Sequence, residues 1–521
     1  MKCWFSLLLA VPALAALVPY DPTPGAVTSG TYQVTVDGQS VPVEKFKDIS
    51  YARFSFNGQA TVTVSVAAPF GDYVLCPVRL QIPVARRGSE LSFTLARSRK
   101  LVLQCEGLEK LFLFADAPEA HPPQLGASDV VNVIDFVSDR TGATLQRENL
   151  QRALDAIAAR PKGGVLYFPA GTYLTGTLVI HSNTTVYLES GALLLGTANP
   201  KDYYVAASEP PRTKPGTGTG ALLYFVDAEN SRLIGRGTVA AQGTKIRQLV
   251  KDHPRICNFI RCKNCEIADV VIRDSGGFNI HALRCENLLL HGYKIINDLA
   301  LSNQDGTDPD SSRHIVVDDV FMYTSDDAIA VKADLGLCED VVVKNCVFWT
   351  KKSALKVGSD PYFGARAIVF ENNDVLHADR ALALYARMGF IENVRFMHNT
   401  AEFVGDDIKQ QTIVFLVSKL GPDGESSAGK KSPYTGYIKD VLVEGFLSCQ
   451  PSAKPSVIRG DGPGHEVSNV GIRDYYLGGR PVKSAADAVL EIGVDVRNIS
   501  FAITGAPPPE AAAMRLPAWA K

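Results

Sequence analysis

The sequence has almost no excess of charge of either sign. Its 521 residues include 53 Lys and Arg against 55 Asp and Glu, so the formal net charge is −2. A protein that binds nucleic acid needs a basic face, and this balance argues against that class. Beyond Tyr20 the chain also lacks any apolar run long enough to cross a membrane, so we expect no membrane span.

Metal ligands in a recognisable spacing are lacking as well. Cys257, Cys262 and Cys265 lie close together, but no histidine cluster follows them at the spacing of a zinc site. We therefore predict neither a metal nor a cofactor. Ten cysteines are present, and the nine after Cys3 leave at least one thiol unpaired within the chain. We expect buried cysteines at turns, with a disulfide between some of them as an open alternative.

The first residues have the composition of a secretory signal. Met1 and Lys2 precede an apolar run over residues 7–18, and Ala13-Leu14-Ala15 supplies the small-x-small pattern of a cleavage site. A membrane anchor is the alternative, but the run is too short to span a bilayer comfortably. The pattern predicts a signal peptide over residues 1–18 and a secreted protein, extracellular or periplasmic.

The chain is longer than the usual limit for one hydrophobic core, so we expect two domains. Between residues 28 and 116, short segments alternate apolar and polar residues, as in residues 61–66. Regularly spaced strands of this kind predict an antiparallel β-sandwich over residues 19–123. Residues 117–123 contain three prolines and are typical of a linker, which leaves residues 124–521 for the second domain.

The second domain lacks the leucine–asparagine consensus of leucine-rich repeats but has a repeat of similar length. Its apolar markers are Leu288, Ile315, Val341, Ile368 and Val394. These markers are 27, 26, 27 and 26 residues apart, as their numbers show. A period of this size, with several short β segments per repeat, predicts a right-handed parallel β-helix. Apolar residues at helical spacing between residues 150 and 157 predict a helix that caps its open end.

Three aspartates lie where the coils are expected to turn. Asp305 and Asp326 are 21 residues apart, close to one coil, so both side chains could emerge on one face about 5 Å apart. Asp326 and Asp327 are consecutive and would point to opposite faces of a strand, so they converge only if the backbone bends there. Asp-Gly and Asp-Asp are also common turn residues, and that structural explanation is the alternative.

A cluster of carboxylates is costly because like charges repel and raise one pKa. Folded proteins keep such a cluster where a metal binds or where an acid and a base are both needed. Glycoside hydrolysis needs both, because one carboxylic acid protonates the leaving oxygen and another carboxylate activates water. The sequence therefore predicts Asp305, Asp326 and Asp327 as the catalytic residues of a polysaccharide-cleaving enzyme.

Residues 303–308, Asn-Gln-Asp-Gly-Thr-Asp, and residues 326–332, Asp-Asp-Ala-Ile-Ala-Val-Lys, together resemble the paired signature of the polygalacturonases, glycoside hydrolase family 28. Residues 235–239 and 278–281 resemble other stretches of that family. A β-sandwich ahead of the β-helix is similar to the architecture of the dextranase and isopullulanase family, glycoside hydrolase family 49. The chain is identified as a member of this joint clan, nearer the dextranase side in architecture.

The resemblance implies an inverting hydrolase in which Asp326 is the general acid, while Asp305 and Asp327 hold and deprotonate the water. Asp308 is a rival for the role of Asp305. Inversion implies carboxyl groups about 6.5–9.5 Å apart. The residues that we expect to bind substrate are Asp308, Asn279, His281, Lys332, Lys352, Lys356 and Arg380.

A histidine is missing from this pattern. Polygalacturonases have a Gly-His-Gly turn where this chain has Lys352-Ser353-Ala354, and their Arg-Ile-Lys substrate motif has no clear counterpart. Basic residues in the coils at and after the aspartates suit sugar carboxylate or sulfate groups, although solvated coil faces explain them equally. We expect a monomer that acts on an α-linked, anionic polysaccharide. A β-helix polysaccharide lyase and a non-catalytic glycan-binding β-helix are the alternatives.

Overall fold

The structure is a computed structural model that describes residues 17–204, 220–250, 253–359, 362–405, 407–418 and 436–520. The predicted signal peptide lies almost wholly outside these ranges, as do the Gly/Pro/Ser-rich segments 209–220 and 421–434 that the sequence marks as loops, apart from Gly220. The chain divides into two compact units. No helix of the described ranges is long and apolar enough to cross a membrane.

The first unit, Met1–Asp21, Val27–Tyr73 and Ile82–Ala120, consists of two β-sheets. The first sheet has the order Val27–Thr28, Val43–Phe46, Ile49–Ser55, Lys110–Asp116 and Arg99–Cys105, with Val18–Pro19 paired to Ile49–Ser55. The second has the order Gln39–Val41, Tyr32–Val36, Ala60–Val66, Glu90–Leu95 and Ala85–Arg87. The pairing is antiparallel, as predicted, except between Ile49–Ser55 and Lys110–Asp116. The alternation in residues 60–66 buries Val62 and Val64 and exposes Thr61.

The second unit, Pro22–Ala26, Val74–Gln81 and His121–Lys521, is a right-handed parallel β-helix, which confirms the predicted fold. Each full coil contributes one strand to each of three sheets. Sheet I runs through Val130–Asn132, Gly164–Phe168, Thr184–Leu188, Arg232–Gly235, Lys263–Ala268, Glu286–His291, Arg313–Asp318, Cys338–Lys344, Ala365–Glu371, Ile391–Met397, Ile438–Glu444, Val467–Arg473 and Val496–Ala502.

Sheets II and III complete each coil. Sheet II runs through Gly171–Thr175, Ala192–Gly196, Thr238–Ala240, Val271–Arg273, Lys294–Ile296, Phe321–Thr324, Val347–Thr350, Asp374–Ala378, Thr400–Val404, Leu447–Ser448, Tyr476–Leu477 and Arg480–Pro481, of which the last pair is antiparallel. Sheet III runs through Leu178–Ile180, Ala221–Val226, Arg255–Ile260, Ile280–Leu283, Thr307–Asp310, Ile329–Val331, Ser353–Val357, Arg380–Ala386, Gln411–Val417, Ser456–Arg459 and Leu490–Ile492.

Helices are few and short in the described ranges. The helix predicted ahead of the coils is Arg147–Ala158, and its apolar face joins the hydrophobic core of the β-helix through Leu150 and Leu154. The other α-helices are Gly243–Leu249 and Pro509–Ala513, and the 3-10 helices are Val78–Leu80, Val133–Asp135 and Pro200–Asp202. The β-helix thus has a helix packed at its N-terminal end, where strand edges would otherwise be open.

The sequence period corresponds to the register of sheet I. Leu288 pairs with Ile315, Ile315 with Val341, Val341 with Ile368, and Ile368 with Val394. All five side chains are buried in the same core. Like side chains therefore stack from coil to coil, and the hydrophobic stack fixes which residues of neighbouring coils lie side by side.

The nine cysteines after Cys3 are all buried, and in the described structure none of them forms the disulfide that the sequence left open. Several replace aliphatic side chains in the core of the β-helix. Cys262 and Cys285 are close, since the Cys262 N–H donates to the Cys285 Sγ at 3.4 Å. These thiols act as small apolar core residues.

Candidate active site

The Asp326–Asp327 pair lies at a coil corner, between the sheet II strand Phe321–Thr324 and the sheet III strand Ile329–Val331. Two hydroxyls hold this corner, because Thr324 Oγ1 and Thr350 Oγ1 both donate to the carbonyl oxygen of Asp326. The Asp327 N–H donates to Asp326 Oδ1 at 2.9 Å. The bend therefore turns two consecutive side chains toward one site, as the sequence required for convergence.

The neighbouring coils place Asp305 and Ser353 beside Asp327. Gly306 N–H donates to the Asp327 carbonyl at 2.8 Å, and Ala328 N–H donates to the Ser353 carbonyl at 2.8 Å. Ser353 in turn pairs with Arg380 on the next strand of sheet III. The starts of successive sheet III strands thus bring Asp305, Asp327, Ser353 and Arg380 into one line along the β-helix.

The three predicted catalytic aspartates form one compact cluster. One carboxylate oxygen from each of Asp305, Asp326 and Asp327 lies within 4.8 Å of the others. This distance joins the nearest oxygens of the three groups and is not the separation of about 6.5–9.5 Å between carboxyl groups that inversion implied. The groups are close because two of the residues are consecutive and the third is on the adjacent coil. Two hydrogen bonds of about 2.8 Å to one water span roughly 4.5 Å, so the gap suits a single bridging water.

Lys332 lies against the first part of the cluster. Its ammonium group is 2.8 Å from Asp308 Oδ2 and 3.3 Å from Asp305 Oδ2, and it lies 4.3 Å from the ring centroid of Phe278. Burial alone would lower the pKa of Lys332, but the carboxylates of Asp308 and Asp305 outweigh burial and raise it. Lys332 is therefore a permanent positive charge beneath Asp305.

Lys356 lies against the other part. Its ammonium group is 2.5 Å from Asp327 Oδ2, and the Ser353 N–H donates to Asp327 Oδ1 at 2.9 Å. Both Asp327 and Lys356 are buried. Asp327 is thus held through both of its oxygens by groups that belong to the strand Ser353–Val357.

The aspartates differ in ionisation although they lie together. Burial would raise the pKa of Asp327, but Lys356 and Arg380 outweigh burial and lower the pKa to about 2. Burial, followed by the nearby carboxylates, raises the pKa of Asp326 and raises that of Asp305 well above its usual value. Burial also raises the pKa of Asp308 to about 6, against the opposing effect of Lys332. The surroundings therefore shift the pKa of Asp327 in the opposite direction from the pKa values of Asp326, Asp305 and Asp308.

A divalent cation could in principle use these carboxylates, since three oxygens within this distance are a common ligand set. The two ammonium groups, however, already lie against Asp305 and Asp327. The positive charge that a carboxylate cluster requires is supplied by the chain itself, which favours acid–base chemistry over cation binding at this corner.

The other residues predicted to bind substrate are not all at the surface of the site. Asn279 is fully buried, and its Nδ2 donates to the Asp305 carbonyl at 2.8 Å. His281 is 3% exposed and lies 3.2 Å from both Asn258 Oδ1 and Asp310 Oδ2. These positions support the backbone and neighbours of Asp305 from below, so a direct contact of Asn279 or His281 with substrate stays a prediction.

Lys352 and Arg380 lie at the edge of the row and are partly exposed. Each has an acidic neighbour, because Lys352 forms an ion pair with Asp407 and Arg380 lies 3.3 Å from Asp379. The basic character that the sequence indicated is therefore partly neutralised within the protein. The exposed faces of these two side chains are among the basic groups that an acidic sugar could contact.

Several residues that position the cluster were not assigned a role from the sequence. Asn303 N–H donates to Asp326 Oδ2 at 3.2 Å, and Gln304 joins Ser325 to the carbonyl of Ser275. Thr350 pairs in register with Thr324, 26 residues before it. The repeat period could have revealed this threonine pair, whereas the contact of a backbone N–H with Asp326 left no signal in the sequence.

Several buried oxygen atoms at the site have no hydrogen-bond partner among the described residues, and Asp305 Oδ1, Asp308 Oδ1 and Ser353 Oγ are among them. Buried polar atoms are normally satisfied, so unsatisfied ones beside a carboxylate cluster indicate places for water or for substrate hydroxyl groups. Asp305 Oδ1 is the atom among these that belongs to the three-carboxylate cluster.

The described residues thus form a parallel β-helix in which three carboxylate groups lie together at one coil corner. Residues 176–359, which contain the whole cluster, match the family described as Glycosyl hydrolases family 28. The chain is 25% identical over 389 residues to an exo-poly-α-D-galacturonosidase of Dickeya chrysanthemi, covering 62% of this chain and 63% of the relative. The chain spans about 60% of the length of the curated relatives it matches.

Two solved structures share the fold. One is a family 28 exopolygalacturonase of Yersinia enterocolitica, with a TM-score of 0.56, 17% identity and coverage of 85% of this chain and 96% of that one. The other is Dex49A of Penicillium minioluteum, with a TM-score of 0.59, 12% identity and coverage of 94% and 96%. These two likenesses show the β-helix fold, and the match to Glycosyl hydrolases family 28 covers residues 176–359.

Proposed function

We propose that this protein is an inverting glycoside hydrolase that cleaves an α-linked, acidic polysaccharide with Asp305, Asp326 and Asp327. The observation that carries the proposal is a cluster of three carboxyl groups in which Lys356 lies 2.5 Å from Asp327. In keeping with this contact, the pKa of Asp327 is lowered, whereas those of Asp326 and Asp305 are raised. Neighbouring carboxyl groups with opposite pKa shifts are the arrangement that acid–base cleavage of a glycosidic bond requires.

In the proposed reaction, Asp326 is the acid. It is the partly exposed member of the cluster, so its proton can reach the glycosidic oxygen of a bound chain. As the bond between the anomeric carbon and this oxygen breaks, the Asp326 proton moves to the leaving sugar. One water attacks the anomeric carbon from the opposite face and gives its proton to Asp327, while Asp305 holds the same water. Each turnover consumes one water and inverts the anomeric centre.

Charge at the edge of the row supports an acidic substrate. Lys332 and Lys356 are paired with the aspartates, so a sugar carboxylate would meet Arg380 and Lys352. A guanidinium group is well suited to bidentate contact with a carboxylate. The name of the Dickeya chrysanthemi relative also points to galacturonic acid polymers. The missing Gly-His-Gly turn sets this chain apart from polygalacturonases, so we propose an acidic α-glycan rather than pectin itself.

A β-helix lyase is the second candidate, and the same ion pairs argue against it. A lyase of this kind needs a neutral lysine or arginine as a base, whereas the carboxylates beside Lys332 raise its pKa. A non-catalytic glycan-binding β-helix is the third candidate, and the opposite pKa shifts in the cluster argue against it, since binding alone needs no acid and base.

A panel of polysaccharides tests the proposal. The secreted form would be incubated with polygalacturonate-type chains and with neutral dextran, and new reducing ends and unsaturated products would be measured with and without chelator. We predict reducing ends from the acidic polymer, no unsaturated product and no effect of chelator. Equal turnover of dextran would contradict the acidic substrate, unsaturated product would indicate a lyase, and binding without any cleavage would indicate the non-catalytic protein.

A further inference from the structure

Ser353 lies in line with Asp305, Asp327 and Arg380 and lacks the side chain that the family resemblance predicts at this position. The family resemblance places a histidine there, but this chain has Ser353, whose Oγ is buried and has no hydrogen-bond partner among the described residues. The Ser353 side chain therefore takes no part in holding the neighbouring Asp327. What the strand does supply is its backbone, since the Ser353 N–H donates to Asp327 Oδ1.

Lys356 supplies the side-chain contact to Asp327 that Ser353 does not make. It lies three residues further along the same strand, it is 8% exposed, and its ammonium group is 2.5 Å from Asp327 Oδ2. The strand Ser353–Val357 thus grips Asp327 with one backbone N–H and one ammonium group. A buried ammonium has few other partners to exchange for this carboxylate, so the pair is a fixed element of the site.

A second pair repeats the arrangement on the opposite side of the cluster. Lys332 lies between Asp308 and Asp305, at 2.8 Å and 3.3 Å. Each lysine follows its aspartate by about one coil, since Asp305 precedes Lys332 by 27 residues and Asp327 precedes Lys356 by 29. Asp326 is the member of the cluster without a lysine at ion-pair distance among the described residues.

We infer that Lys356 is a positioning residue that keeps Asp327 ionised and oriented as the base, in place of the histidine that the resemblance leads one to expect. Its pairing, together with that of Lys332, leaves Asp326 as the carboxyl group that carries the catalytic proton. This inference rests on the proposed function for its effect on rate. Its effect on the ionisation of Asp327 holds whatever the substrate is.

Other charges face Asp327 and bear on this inference. From the next strand Arg380 acts in the same direction as Lys356, whereas the neighbouring carboxylates act against it. The charged groups around Asp327 are Lys356, Arg380, Lys332, Asp305, Asp308 and Asp326. Because Arg380 does not touch Asp327 at ion-pair distance, replacement of Lys356 removes the larger of the two positive contributions.

The experiment compares Lys356→Met with Lys356→Arg. Asp327 would be observed by carbon-13 NMR with labelled aspartate carboxyl groups, using the signal that disappears in Asp327→Asn. The dependence of kcat and KM on pH would be measured on the polysaccharide that the panel identifies. Lys344→Met is the matched control, because Lys344 pairs with Asp318 at 3.5 Å on the exposed face of sheet I.

We expect Lys356→Met to raise the pKa of Asp327 by about one to three units. We also expect it to shift the acidic limb of the kcat profile toward higher pH and to lower kcat tenfold or more with little change in KM. In Lys356→Arg the pKa of Asp327 should stay close to its value in the parent protein. Lys344→Met should behave as the parent protein.

An unchanged Asp327 titration in a folded Lys356→Met variant would overturn the inference, as would a loss of activity with no shift of the acidic limb. If Lys356→Met does not fold, the arginine variant decides, because a raised Asp327 pKa in the presence of a positive charge at position 356 would also contradict it. A parent protein that cleaves no glycan would refute the proposed function alone, since the NMR titration would still report on the pair.

Discussion

Asp326 and Asp327 are consecutive in sequence, and yet their pKa values are shifted in opposite directions. Burial favours the protonated form of both carboxyl groups. At Asp327, however, the contact with Lys356 opposes burial and the pKa is lowered. The N–H of Asp327 also donates to Asp326 Oδ1, so the acid and the base are coupled through one peptide unit. One coil corner therefore supplies both halves of an acid–base pair.

Asp305 and Asp308 compete for one role, and their surroundings separate them. Asp305 belongs to the three-carboxylate cluster, whereas Asp308 has no exposed surface and holds Lys332 at 2.8 Å. We predict that Asp305→Asn lowers kcat by about 10²–10⁴-fold, because it removes a group that holds the attacking water. Asp308→Asn should lower kcat by about tenfold or less, since Asp308 lies outside the three-carboxylate cluster and contacts it through Lys332.

Kinetics of the two purified variants on the same polysaccharide would check this prediction, with circular dichroism as the control for folding. Equal losses in both variants would mean that the water is held by a larger group of carboxylates. A larger loss in Asp308→Asn than in Asp305→Asn would reverse the two roles.

At the scale of the elements, the coil period was the feature of the sequence that predicted the β-helix and the register of its strands. The markers from Leu288 to Val394 are register partners, because stacked coils require like side chains at each step. The same logic placed Asp305 and Asp326 on adjacent coils. The capping helix was also predictable, since its apolar residues recur at helical spacing and join the core of the β-helix.

The repeat period could not predict the direction of the side chains at a coil corner. Asn279 and His281 belong to a stretch that resembles the family, yet both are buried beneath Asp305 instead of facing solvent. The ion pair of Lys356 with Asp327 spans two elements and depends on the bend between them. Threonine hydroxyls fix that bend through a backbone carbonyl, and such contacts leave no periodic pattern in the sequence.

At the scale of the whole molecule, a buried carboxyl group on the sheet II strand Thr400–Val404 makes stability depend on pH. Glu402 is 2% exposed, and its Oε1 accepts a hydrogen bond from the Val78 N–H at 2.5 Å. Burial raises the pKa of Glu402 from 4.5 to about 8. A folded-state pKa above the unfolded value means that the folded state binds the extra proton, so stability decreases as pH rises from 4.5 to about 8.

We predict that Glu402→Gln removes this dependence. The parent protein loses roughly 3 kcal/mol between pH 4.5 and pH 7 through this group, and a neutral amide does not. Denaturant unfolding of the parent and the variant across this pH range would measure the difference. Glu444→Gln, on a partly exposed carboxylate of sheet I, is the control. Equal slopes of stability against pH in parent and Glu402→Gln would contradict the prediction.

The cysteines also belong to this scale. All nine are buried in the described structure, although the first residues predict export to an oxidising compartment. Burial in the core shields these thiols from oxidants in the solvent. The stability of the β-helix therefore comes from its stacked core instead of from disulfides.

The central claim is that Asp326 supplies the proton for cleavage of a glycosidic bond. The most direct measurement is the production of reducing ends by Asp326→Asn, with glycan binding measured in parallel and Asp440→Asn, on sheet I, as the control. We predict that cleavage decreases by about 10²–10⁴-fold because the amide has no proton to give to the leaving oxygen. Binding should be retained, because the amide has the size of the carboxyl group and still accepts from one of the two N–H groups that donate to Asp326. Cleavage by a folded Asp326→Asn variant at the rate of the parent protein would contradict the account.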